Sequence, residues 1–231
     1  MKKRIPISVS ILMMLLMVGQ VMAQDCVPYF AVKQGAVREM TSYNGKDKLI
    51  GTMTQTVKKI TTSGDTTKWT IGVVSKDKKG KEVFSRDMHM SCLNGIFRMD
   101  MKNLVNDKTL ESFQKMEMTM NASDLDYPSH MKVGQTLKDG TISISVSNAG
   151  VHMMTISITE TNRKVDAMEK MTTPAGTFSC YKISSTIETK SMLRMVTKNI
   201  EWMAKDVGAV RTETYDKKGK LESYSVLTSF K

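Results

Sequence analysis

The side chains best suited to chemistry are sulfur and imidazole, and they meet in Met88-His89-Met90-Ser91-Cys92. Thioether, thiolate and imidazole together suit Cu(I). On a strand, though, successive side chains point to opposite faces. His89 then turns away from Met88, Met90 and Cys92, which also separates Cys92 from His89 as nucleophile and base. His152-Met153-Met154 poses the same choice. We read both as flexible sulfur filler of an apolar interior and expect neither a metal site nor a cofactor. Asp124 and Asp126 stand two apart in a segment read as loop, a poor arrangement for acid–base work or calcium. His130 follows in a loop after Pro128. The chain has no Gly-x-Ser-x-Gly elbow, no His-Glu-x-x-His and no P-loop, so no catalytic residue is expected.

The three cysteines, Cys26, Cys92 and Cys180, are an odd set. At most one internal disulfide can form, with three pairings open, and the alternative is three small buried side chains. A bridge presupposes an oxidising compartment, and the N-terminus supplies the route. Lys2-Lys3-Arg4 precedes an apolar run over 5–18, and Val21-Met22-Ala23 offers small residues for cleavage. This reads as a cleaved secretory signal over residues 1–23, followed by one domain over 24–231. A lipidated cysteine stands directly after a small-residue box, whereas Cys26 follows Gln24-Asp25. The expectation is therefore a periplasmic or secreted protein that is not a lipoprotein. No later stretch approaches the ~18 apolar residues of a membrane helix. The formal charge is +11; removing the leader's three cations leaves +8. The lysines collect at turn tips with few aromatics between them, as on a solvated surface. With export added, no nucleic-acid partner is expected.

These groups must be positioned by strands, because the dominant period of the mature chain is two. Ile142, Ile144 and Val146 alternate with hydroxyls, and 154–159 repeats the pattern. Asn94-Gly95 between alternating segments predicts a two-residue hairpin turn. Its register sets Cys92 against Phe97, Met90 against Met99 and Met88 against Met101. On the other face Ser91 meets Arg98, His89 meets Asp100 and Asp87 meets Lys102. Asp77-Lys-Lys-Gly-Lys81 and Asp216-Lys-Lys-Gly-Lys220 are two copies of one turn, with Tyr43-Asn-Gly-Lys46 a looser third. Only 107–116 reads as helix, with Asp107 as cap.

About a dozen short strands predict an all-β, mainly antiparallel fold: one long curled sheet forming a spiral β-roll, with one short helix. Seventeen methionines remain after the leader, so thioethers must form much of the interior. Such a lining repacks around varied partners. Trp69, Met88, Met90, Met99, Met101 and Trp202 are the pocket candidates.

Several motifs stand in a suggestive order: Asp25-Cys-Val-Pro-Tyr-Phe30, Val133-Gly-Gln-Thr-Leu-Lys-Asp-Gly140, Thr173-Pro-Ala-Gly-Thr-Phe-Ser-Cys-Tyr-Lys182, Glu201-Trp-Met-Ala-Lys-Asp-Val-Gly208 and Tyr215-Asp-Lys-Lys-Gly-Lys220. Through them the whole mature chain resembles the exported TapB-like proteins of Gram-negative bacteria, a family of unknown function. The resemblance implies a spiral β-roll in the periplasm or at the surface, and no reaction. The leading expectation is a non-enzymatic envelope protein that binds a lipid, a peptide or a protein partner. The alternative is a filled roll acting as a structural docking module in an envelope assembly. A hydrolase with dispersed residues is a third, weaker reading.

Overall fold

The computed structural model describes residues 26–104 and 116–231. The leader and nearly all of the helix expected over 107–116 lie outside the described residues.

Thirteen strands make one antiparallel sheet. They are β1 (Val37–Asn44), β2 (Leu49–Ser63), β3 (Thr66–Asp77), β4 (Glu82–Leu93), β5 (Ile96–Asp100), β6 (Glu117–Ala122) and β7 (Asp124–Pro128). After them come β8 (Gly140–Asn148), β9 (Val151–Thr173), β10 (Gly176–Lys190), β11 (Arg194–Ala204), β12 (Gly208–Tyr215) and β13 (Leu221–Phe230). A 3₁₀ turn, Met101–Leu104, follows β5. The order across the sheet is β6-β8-β9-β10-β11-β12-β13-β1-β2-β3-β4-β5-β7. The chain thus runs as two meanders joined where β1 pairs with β13.

The two edges of this sheet belong to one stretch of chain. β6 pairs with β8 at one end of the order, and β7 pairs with β5 at the other. Only Ser123 separates them. Its amide donates to the Thr141 carbonyl at 2.8 Å, and its Oγ accepts the Thr141 amide at 2.8 Å. The sheet has rolled until a single segment serves as both edges, a nearly closed barrel. Near-closure removes the exposed ladders that make edge strands a hazard.

The 124–128 segment corrects the sequence reading, which placed a loop there. Two aspartates and Pro128 mask its alternation. Leu125 and Tyr127 point into the core while Asp124 and Asp126 face outward. Proline is tolerated here because it ends an edge strand.

Local turn chemistry follows the expected lines. Asn94 and Gly95 both have positive φ, 52° and 69°, as the two-residue turn requires. The ladder then sets Leu93 against Ile96, Cys92 against Phe97, Ser91 against Arg98 and Met90 against Met99. It stops there. Met101 enters the 3₁₀ turn, so the expected pairs Met88–Met101, His89–Asp100 and Asp87–Lys102 are not ladder pairs. Asp100 is matched instead with Asp124 of β7, and Asp87 takes Lys58 at 2.6 Å. Asp77 and Asp216 each accept two amides of their own turns at 2.8–3.0 Å. Asn44 does the same for Lys46 and Lys48. Asp47, at φ 57°, takes the place that Gly80 and Gly219 hold in the other two copies.

The interior is filled from above by the N-terminal segment. Val27, Tyr29, Phe30 and Ala31 are buried inside the roll. Cys26 is bridged to Cys92 beside the Asn94-Gly95 turn, with a Cα–Cα distance of 6.1 Å. The Val27 amide donates to Ser129 Oγ at 2.9 Å, and the Pro28 carbonyl accepts the Asp206 amide at 2.9 Å. The segment therefore spans the barrel and plugs one end. A second apolar cluster gathers Met40, Cys180, Trp202, Val210 and Leu227.

Candidate functional site

Below the plug lies a cavity of about 320 Å³. Its wall follows from strand phase. Phe84, Arg86, Met88 and Met90 alternate along β4 and share its inner face, and Met99 of β5 continues the row across the ladder. Met40 of β1 stands opposite Met53 of β2, and Arg38 stands opposite Gln55. Glu201 and Met203 of β11 close the far side. Tyr29 and Phe30 of the plug form the roof. Six methionines therefore face one space: Met40, Met53, Met88, Met90, Met99 and Met203.

Three charged side chains line this wall, Arg38, Arg86 and Glu201, of which Arg38 is the most deeply buried. Arg38 is 4% exposed. Its guanidinium donates to Gln55 Oε1 at 2.9 Å, to the Ala209 carbonyl and to the sulfur of Met40, and it lies 5.1 Å from the Phe30 ring centre. Every one of these partners is neutral. Burial alone lowers its pKa, to about 10. Glu201 behaves oppositely. Burial, then the nearby Glu160 carboxylate, pushes its carboxyl up to about 7, against the pull of Arg163 and a hydrogen bond from Tyr127. Tyr127 Oη donates to Glu201 Oε1 at 3.0 Å.

Behind Glu201 sits a buried polar cluster. Arg163 has a fully buried side chain. It donates to the carbonyls of Asp126 and Lys138 at 3.2 and 2.7 Å, and it lies 3.4 Å from Glu160. Its guanidinium stacks 4.7 Å from the Tyr127 ring centre. Asn162, at φ 54°, marks the irregularity of β9 that turns both Glu160 and Arg163 inward. Buried charges without such partners would be costly.

Of the pocket candidates read from sequence, Met88, Met90 and Met99 line this cavity. Trp69 is buried behind Met90, edge-on to Phe97 with ring centres 5.8 Å apart. Met101 is fully buried in the main core beneath Gly140. Trp202 belongs to the second cluster, where its indole donates to Glu169 at 2.5 Å. Arg38, Gln55 and Glu201 were missed. Arg86 was legible: continuing the phase of Met90 and Met88 two more steps back places it on the inner face. The Cys26–Cys92 bridge resolves the cysteine question, and Cys180 is a buried free thiol.

On the opposite face of β3 to β5 lies a shallower, more polar cleft of about 500 Å³, with Lys68, His89, Arg98, Asp100 and Asp124. Burial, then Asp100 and Asp126, raises the pKa of Asp124. Among the described residues no three His, Cys, Asp or Glu side chains are grouped to hold a metal.

This fold has known counterparts. A family model described as DUF3108-like matches residues 33–227. The chain belongs to that family. Two solved structures share the fold. One, from Bacteroides fragilis NCTC 9343, is named as an exported protein with a YmcC-like fold. It is 25% identical, covers 89% of this chain and 100% of its own, and superposes with a TM-score of 0.73. The other, from Parabacteroides distasonis ATCC 8503, is named as a lipoprotein. It is 26% identical, covers 90% and 100%, and has a TM-score of 0.74. No curated protein matches the chain.

Proposed function

We propose that this DUF3108-like protein is a non-enzymatic, extracytoplasmic binding protein whose ligand is a lipid with an apolar body and an anionic group. The cavity wall carries the reading. It combines thioethers, which repack around a flexible chain, with a buried guanidinium whose hydrogen-bond partners are all neutral. A buried cation gains most from an ionised acceptor, so Arg38 would hold the anionic head while Met53, Met88 and Met99 pack the tail. A volume of about 320 Å³ falls at the small end of ligand pockets, which run from ~300 to ~1,000 Å³; it suits one acyl chain. The names of the two structural neighbours support a place outside the cytoplasm. The closer likeness to TapB-like proteins rests on the ordered sequence motifs. Cys26 holds its sulfur in the bridge to Cys92, which favours a protein released from its leader over one lipidated at that residue. No helix among the described residues is long and apolar enough to cross a membrane.

The test is displacement of a fluorescent fatty acid from the mature protein. Arg38→Gln should weaken binding of the carboxylate probe about tenfold, consistent with loss of a charge-assisted hydrogen bond, and leave the matching fatty alcohol unchanged. Equal affinity of both variants for both probes, or no binding to either, would remove the reading. The second reading, a filled docking module, draws on the plug: Val27 to Ala31 already fill one end of the barrel. A protein that releases no lipid on denaturation after purification from the periplasm, and takes none up, would favour it.

A further inference from the structure

The antiparallel register brings five turns to the end of the barrel opposite the plug: 44–48, 77–81, 148–151, 191–193 and 216–220. The stretches 44–48, 76–81 and 216–220 carry two, four and three lysines. Their acids are partly engaged. Asp77 and Asp216 hold their own turns, and Asp47 accepts the Tyr224 hydroxyl at 2.7 Å. The hairpin turns at the other end, 64–65, 94–95, 174–175 and 205–207, have one lysine against Asp65 and Asp206. Among the hairpin turns, lysine is thus concentrated at the end away from the plug.

The β10–β11 tip differs from its lysine-rich neighbours. Met192 is 90% exposed and Leu193 82%. The Ser191 amide donates to the Leu193 carbonyl at 3.0 Å, so the turn is closed and both side chains are held away from the core. Lys190 and Arg194 flank them. Val151, Met153 and Met195 are exposed nearby, and Leu49, Ile50 and Val83 are exposed beside the lysine tips. Single exposed apolar residues are ordinary. Their concentration on the basic end is not.

We propose that this end docks on an anionic phospholipid surface, with Met192 and Leu193 entering the acyl boundary and the tip lysines lying among the headgroups. Amphipathic surfaces of this composition bind by combined apolar insertion and attraction to anionic lipid. A second copy of the chain is a poorer occupant, since two lysine-rich ends facing one another repel. Ser42, Phe84 and Ser225, which border the cavity, lie within five residues of these tips, so docking would turn the cavity toward the bilayer. Docking itself does not require the cavity to hold a ligand.

Co-sedimentation of the mature protein with vesicles of phosphatidylcholine, alone or mixed with phosphatidylglycerol, tests the proposal. Binding should appear on the mixed vesicles and weaken with salt. Met192→Ser with Leu193→Ser should cut the partition coefficient about tenfold, as should neutralising Lys78, Lys79, Lys217 and Lys218 to Gln. These side chains are exposed, so thermal unfolding should be unchanged. Absence of binding to anionic vesicles, equal binding to both vesicle types, indifference to the tip variants, or self-association lost with Met192→Ser and Leu193→Ser would each overturn it.

Discussion

At the scale of the residue, the interior is defined by charges placed where oil would be expected. Glu201 has the clearest consequence. Its folded pKa is about 7, against an ordinary 4.5, so the native state binds the extra proton between those values. Its contribution to stability is greatest below about pH 4.5 and is lost as pH rises through about 7. Glu201→Gln should flatten that part of the profile. Urea midpoints of both proteins should diverge by an amount on the order of 2 kcal/mol across this window; parallel profiles would show that Glu201 is not the titrating group. The disulfide makes a separate prediction. Cys26 and Cys92 are 66 residues apart. Chain-entropy reasoning gives a bridge of this span about 4 kcal/mol. Cys26→Ser should therefore lower the denaturation midpoint and expose 27–31 to amide exchange first, because that segment belongs to no strand ladder.

At the scale of the element, two glycines at similar turns are required for different reasons. Gly80 has φ 79° and open space around it, whereas a Cβ on Gly45 would sit 2.1 Å from the Leu221 carbonyl oxygen. Gly80→Ala should cost about 1 kcal/mol from backbone strain alone. Gly45→Ala should cost more, because the β1–β2 turn must part from β13 to admit it. Thermal melts of the two variants would rank them; the reverse order would contradict the close approach. The hairpin around Asn94-Gly95 and the Asp-Lys-Lys-Gly-Lys turns were legible in the sequence, since each depends on residues within a few positions. β7 was not, because its pairing with β5 is decided by closure of the whole sheet. The inward turn of Arg163 was equally hidden: it depends on the irregularity at Asn162, and residues 159–164 form an uninterrupted polar run. The inner-face methionines of β4 and β5 were legible from phase. Arg38 was not, because its burial comes from Phe30 of the plug and from Ala209 of β12, neither of which its own strand predicts.

At the scale of the molecule, the barrel is closed by one segment at its seam, plugged by another at its top, and lined below the plug with thioethers and the buried guanidinium of Arg38. The end opposite the plug carries the lysine-rich turns and the exposed apolar tips. The sequence required a long sheet to curl; only the three-dimensional arrangement shows that Val27 to Ala31 plug one end of it and that a cavity lies beneath them. The most direct measurement labels every methionine methyl with ¹³C and titrates a long-chain fatty acid into the mature protein. The account predicts that Met40, Met53, Met88, Met90, Met99 and Met203 shift together and saturably, while Met168 and Met192 do not. Shifts confined to the exposed methionines, or none at all, would contradict a ligand inside the barrel.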